Sequence, residues 1–461
     1  MVLLDNLGYV ACCTAALALL NARYGSLAAA YLTALRVYVV PEDPTGSGTN
    51  SNAASSNHTQ KVRNRKKMTS EEKEDAQFKE LEDSLGGAGF LSVTPLPRSV
   101  VEATRFFKDW DNMVYFFMIM MCNVVFGELG HAFGLRTNKF IMPMACMTLM
   151  CTLSVLFKTE VLAKDIIPRF VRWGTSLIGV FNFALALVTL LLGPVDVIDF
   201  FVNTASKEAM PSLTEYLRKK KPDLEIADGV AIDPLWASVV LASVAGLQGC
   251  LTFSAAQRWA RMYFKAVTPP PFWGYGYMQI STLSKLCLHL QLILPLLAVI
   301  TWIKPMAEMW SVTEDSLEYI KPTVLVLSGL LGLPTLRPLA QSYLNLSLEY
   351  WYKLKHGVKP SDKAAQTHGK STATLIRIKV EHNQMLLNKV AVQLFSHGAL
   401  CLCYGTLLFC GTVEIRDAED VVLPASFWRV TAGFLGWWTC LSWSVYVAMG
   451  LLMHRVGMIS S

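Results

Sequence analysis

The sequence predicts an all-α, polytopic transmembrane bundle of eight to nine helices, one of them broken near Pro334. Three observations carry that reading. Of 461 residues, 53% are hydrophobic and 16% charged, against roughly a quarter charged in an average soluble domain. The apolar residues lie in long blocks instead of alternating with polar ones. Lys and Arg are unevenly shared between alternate loops, as expected where cytoplasmic loops hold the positive charge.

A helix needs about 20 residues to cross a hydrocarbon layer roughly 30 Å thick. Eight blocks serve: residues 113–133, 140–157, 174–192, 235–253, 284–303, 322–336, 388–410 and 431–453. Residues 7–22 make a ninth. Asp5 precedes that block and no Lys or Arg does, whereas a secretory signal opens with positive charge, so it reads as a retained first span, with a signal peptide as the competing reading. Leu27 to Val40 follows as an interfacial stretch from which Arg36 can snorkel. The chain thus divides into residues 1–40, a basic loop at 41–112, and the bundle at 113–461.

With nine spans, one set of loops holds 27 Lys and Arg and the other 11. That places the N-terminus outside and the C-terminus in the cytoplasm, in a plasma membrane or endomembrane that the sequence does not specify. The sequon Asn57-His58-Thr59 would need a lumenal loop, and Asn345-Leu346-Ser347 lies close to a span. Both read as chance matches.

Residues 41–68 are rich in Ser, Asn, Thr and Gly and have little to bury, which predicts disorder. Thr69 and Glu72 then have capping-box spacing, and Gly86-Gly87 ends the helix they would open. This exposed segment reads as a docking surface or a plain linker. Arg258, Arg261 and Lys265 share one helical face after the span at 235–253, a basic face suited to anionic lipid headgroups or to anchoring the topology. The outer loop 193–234 has eight acids against five bases and Pro211 near a helix start. It reads as a small amphipathic cap.

The net charge of +6 is too slight a bias to suggest nucleic acid. Nearly all of the eleven Cys, including Cys401, Cys403, Cys410 and Cys440, fall inside apolar blocks, where thiols behave as small hydrophobes. Neither metal nor cofactor is expected. The sequence holds no P-loop, dinucleotide-binding glycine fingerprint, G-x-S-x-G elbow or H-E-x-x-H motif, and the protein reads as a non-enzyme.

Ionisable and amide groups within spans are costly in lipid and usually face the bundle interior. Glu128 and His131 lie three residues apart on one helical face, and Gln248, His289, Gln291, Arg337, Gln393 and His397 occupy other spans or their ends. They could form a polar cluster that carries ions or protons, or simply hydrogen-bond helices together. Ala242 with Gly246, and Ala245 with Gly249, have small-x-x-x-small spacing that favours close helix packing. The span at 322–336 has only 15 residues and contains Gly329, Gly332 and Pro334, which suggests a break. Were the helix to continue through Leu339 to Tyr352, Arg337 would need an acceptor at depth.

Leu336 to Leu346, "LRPLAQSYLNL", resembles the Leu-Arg-x-x-x-Gln-x-Tyr-Leu-Asn-Leu pattern of the transmembrane protein 161 family, through Arg337, Gln341, Tyr343 and Asn345. Leu288 to Pro305 resembles that family's segment with a His, a central Pro and a closing Trp-x-Lys-Pro, here His289, Pro295, Trp302, Lys304 and Pro305. Arg429 to Trp438, with Trp437 and Trp438, is similar to its last span. The resemblance runs from about residue 100 onward; the loop at 45–98 is not alignable. It implies a non-enzymatic membrane protein linked to excitability, cardiac rhythm and stress responses, with no established ligand or catalytic residues. Two functions follow as expectations. The first is a regulator or scaffold that contacts an unidentified membrane-protein partner through loops 41–112 and 337–389. The second is an ion or proton transporter or channel built on Glu128, His131, His289 and Arg337.

Overall fold

The structure is a computed structural model that describes residues 11, 14–23, 25–40, 91–132, 141–163, 169–193, 197–198, 200–220, 233–269, 280–311, 313–355, 372–413 and 425–457. Its elements in chain order are α1 (Leu27–Leu32), β1 (Arg36–Val39), β2 (Ser92–Pro95), α2 (Arg98–Ala103), α3 (Phe107–Ala132), α4 (Ile141–Phe157), α5 (Arg169–Leu192), α6 (Val202–Lys220), α7 (Pro234–Val267), α8 (Thr282–Ile300), α9 (Lys304–Met309), α10 (Glu314–Leu344), α11 (Leu346–Lys355), α12 (Thr372–Met385), α13 (Leu387–Val413) and α14 (Ala425–Arg455). Among the described residues, eight helical stretches are long and apolar enough to cross a membrane, in agreement with the eight blocks from 113 onward. Residues 14–23 are helical too; the rest of the block at 7–22, apart from residue 11, lies outside the described residues, as do the segment Thr69–Leu85 and Asn57.

Helix α13 forms the axis. Nearly all of its span is buried, and it packs against α3, α4, α7, α10 and α14. Its tightest neighbour is α10, and glycine makes that approach possible. A Cβ on Gly329 would lie 2.8 Å from the carbonyl oxygen of Gly398, and one on Gly398 would lie 3.2 Å from the Cα of Gly332. Helix α5 is at the other extreme. It turns Trp173, Leu177, Val180, Phe181 and Val188 outward, an apolar face suited to lipid. Its inner face meets α7 at the small residues marked by the sequence: a Cβ on Gly246 would lie 3.0 Å from the Gly179 carbonyl oxygen.

Three expectations are corrected. Helix α10 runs unbroken through Pro322, Pro334 and Pro338. Proline removes single hydrogen bonds, but packed neighbours in a membrane bundle can hold the helix together around them. The turn comes at Asn345, between α10 and α11. Leu27 to Val40 folds into α1 and β1, with Ala28, Ala29, Leu32 and Tyr38 buried against the bundle. The far end of the loop at 41–112 is ordered, because β2 pairs antiparallel with β1 from Arg36↔Pro95 to Val39↔Ser92. Pro211 lies inside α6 instead of near its start; α6 packs over α14 and α7.

A candidate functional site: buried polar groups of the bundle

The sequence-marked polar residues of the spans are held in separate interhelical contacts. Gln248 on α7 donates to the Tyr404 hydroxyl on α13 and accepts from Thr439 on α14 at 3.5 Å. Gln291 on α8 accepts from the Trp259 indole at 3.3 Å. The Tyr263 hydroxyl and His289 Nδ1 share a hydrogen bond of 2.8 Å. His397, fully buried on α13, stacks face to face on Trp443 with centroids 4.3 Å apart. An aromatic column links the two histidines: His289 meets Tyr263 edge-on, Tyr263 stacks on Trp259, and Trp259 meets Trp443. Glu128 and His131 belong to α3, but their side chains lie outside the described residues.

Arg337 meets the N-terminal segment. Its Nε donates to the Tyr31 carbonyl at 3.4 Å and its guanidinium lies 5.2 Å from the centroid of the Tyr31 ring. Tyr31 in turn donates its hydroxyl to the Leu333 carbonyl on the same helix. Burial pushes the Tyr31 hydroxyl above its ordinary range, so it stays a donor. One turn further, Gln341 exchanges two hydrogen bonds with the backbone of Arg36, and at the next turn Asn345 accepts from Tyr38 at 3.4 Å. Arg337, Gln341 and Asn345 are four apart, so one face of α10 grips α1 and β1. Asn345 is fully buried.

The remaining patterned residues lie elsewhere. Tyr343 is buried on α10. Trp302 receives the Lys321 ammonium 5.4 Å from its ring centroid, and Lys304 lies 5.8 Å from that of Phe201. Trp437 donates to the Val299 carbonyl at 3.3 Å, and Trp438 is buried beside Phe434.

Two buried ionic groups were hidden from sequence. Helix α4 continues as a wide turn through Lys158–Leu162 and buries Glu160, a residue that the span boundaries leave in a loop. Its carboxylate accepts from Ser254 on α7 and Gln393 on α13 and lies 3.8 Å from the buried Lys389 ammonium. The second group revises the basic face. Lys265 is only 6% exposed and pairs with the buried Glu349 on α11, which also meets Lys353 at 3.3 Å. Arg258 Nη1 and Arg261 Nε are likewise buried. The reason is that α7 runs on to Val267 and α11 packs nearby, so Lys265 turns inward.

A family model described as predicted transmembrane protein 161AB matches residues 26–410. The chain belongs to that family. The match begins upstream of the resemblance visible by eye and takes in Tyr31 and Arg36, the partners of the motif on α10; it ends before Arg429 to Trp438. No curated protein and no solved structure matches the chain.

Proposed function

We propose that the protein is a non-enzymatic membrane regulator or scaffold that acts by contacting channels or other membrane proteins. The observation that supports this reading most is the filled bundle axis. Helix α13 is buried along nearly all of its span at the centre of the bundle, and its glycines draw α10 against it. The amides and histidines of the spans serve as interhelical links, which fits a rigid body presenting surfaces. Those surfaces are the loop at 41–112 and the segment 337–389, of which α12 leaves Arg377, Ile378, Glu381 and Met385 exposed. In this reading family membership carries the link to excitability, cardiac rhythm and stress responses, and the excess of Lys and Arg carries a cytoplasmic C-terminus.

The test is flux of ions and protons into liposomes holding the purified protein, over a range of pH and voltage. Flux equal to that of empty liposomes is expected. In excitable cells depleted of the protein, the full chain should restore the action-potential waveform and a chain lacking residues 61–85 should not.

A second reading, an ion or proton transporter or channel, is favoured by Glu160. A buried carboxylate bridging three helices and facing a lysine is the type of group that relays protons. Flux lost in both Glu128→Gln and Glu160→Gln variants would establish it in place of the scaffold.

A further inference from the structure

Helices α10, α13 and α14 bring four polar or sulfur-bearing side chains to one point in the interior. His397 and Cys401 are four residues apart on α13 and share a face. Cys440 reaches them from α14, and the His and Cys ligand atoms all lie within 4.8 Å of one another. Cys401 Sγ is 3.7 Å from Cys440 Sγ, 3.5 Å from His397 Nε2 and 3.8 Å from its Nδ1. The fourth is Ser328 of α10. Its hydroxyl is fully buried beside Cys401, yet it makes no hydrogen bond of good geometry to any protein atom.

We propose that His397, Cys401 and Cys440 bind a Zn²⁺ ion, with the Ser328 hydroxyl as fourth ligand. Two of the edges match a tetrahedral site: Cys401 Sγ to Cys440 Sγ at 3.7 Å and Cys401 Sγ to His397 Nε2 at 3.5 Å. With Zn–S bonds of about 2.3 Å and Zn–N of about 2.0 Å, the edges of the tetrahedron come to about 3.8 Å between sulfurs and about 3.5 Å between sulfur and nitrogen. Soft thiolates and imidazole select thiophilic metals over Mg²⁺ or Ca²⁺. Charge selects among the thiophilic ones. Binding releases the two thiol protons, and two thiolates with a neutral imidazole then balance a divalent cation, whereas monovalent copper would leave net negative charge in a low-dielectric interior. The Trp443 ring, parallel to the imidazole within 6°, limits its rotation, and the unsatisfied Ser328 hydroxyl gains a partner. The ion would join three spans at the bundle axis, so its role is structural, with all positions closed.

The experiment is elemental analysis of the full chain, purified in detergent through a tag free of histidine, with X-ray absorption at the zinc edge. One zinc per chain is expected, with two sulfurs at about 2.3 Å and lighter ligands at about 2.0 Å. His397→Ala and Cys440→Ser should each lose the metal. Cys403→Ser should keep it, because Cys403 lies on the same helix but faces Met120. The absorption spectrum needs no variant, so it remains decisive if the substituted chains fail to fold. Zinc absent from the wild-type chain would overturn the proposal, as would copper in its place, a Cys401–Cys440 disulfide, or zinc with no sulfur neighbours.

Discussion

The side-chain amide of Gln341 is bonded twice to the backbone of Arg36, accepting from its N–H and donating to its carbonyl, both at 3.0 Å. Strand β1 therefore has β2 on one edge and a helix-borne amide at this point on the other. Since Arg36 turns both its backbone groups toward Gln341, it asks nothing of Pro95 across the sheet, where proline has no N–H to give.

Replacing Gln341 with Ala should cost about 1–3 kcal/mol at this contact, since two backbone groups lose their partner. The loss should be local. Hydrogen exchange at the Arg36 amide is expected to speed up by about tenfold for each 1.4 kcal/mol lost, with the Leu400 region of α13 unchanged. Equal protection of Arg36 in both proteins would refute the clamp.

Glu160→Leu removes the carboxylate that Lys389, Gln393 and Ser254 share. Leaving Lys389 buried and unpaired should destabilise by about 3–5 kcal/mol. Adding Lys389→Met should recover part of that loss. Thermal unfolding of the single and double variants checks this, and strictly additive effects would show that the two groups are not coupled.

Burial separates two ion pairs that look alike in sequence. Glu349→Ala strands the buried Lys265 and should cost about 3–5 kcal/mol. Glu318→Ala opens a pair with Arg429 whose side chains are 48% and 42% exposed, and should change stability by less than about 1 kcal/mol. Denaturation of both variants in one detergent gives the comparison.

The α10–α13 contact predicts a positional effect of one methyl group. Gly329→Ala places a Cβ 2.8 Å from backbone of α13 and should destabilise by about 1–3 kcal/mol. At Gly433 the nearest atoms are 3.8 Å or more away, so Gly433→Ala should be neutral or mildly stabilising as helix propensity improves. Equal melting temperatures for the two variants would contradict the packing described.

Much of this bundle is legible in sequence because hydrophobic length alone defines a span. Block edges are harder to read. Placing the end of α4 at Phe157 leaves Glu160 in solvent, one turn short of its burial, and ending α7 at Phe253 leaves Lys265 at the headgroups. Charged residues at a helix end do not announce whether a neighbour will cover them. The prolines of α10 mislead in the other direction, because their local cost is visible and the packing that offsets it is not. His397 stands out as a histidine in an apolar run, but its grouping with Cys440 depends on how α13 and α14 meet. The i, i+4 spacing of His397 and Cys401 is the one local sign of that cluster. The motif on α10 is recognisable as a pattern, while its partners, Tyr31, Arg36 and Tyr38, lie some 300 residues earlier.

Of the eight spans among the described residues, the axial helix α13 is the seventh to be synthesised. While the ribosome is still making the first six, Glu160 lacks Gln393 and Lys389, Gln248 lacks Tyr404, and Gly329 and Gly332 have no helix to approach. The early spans pair among themselves, α3 with α4 and α5 with α7, but these polar groups stay unmet. Only when residues 387–413 are released can these contacts form, so the closing of the bundle around its axis is a late step of synthesis.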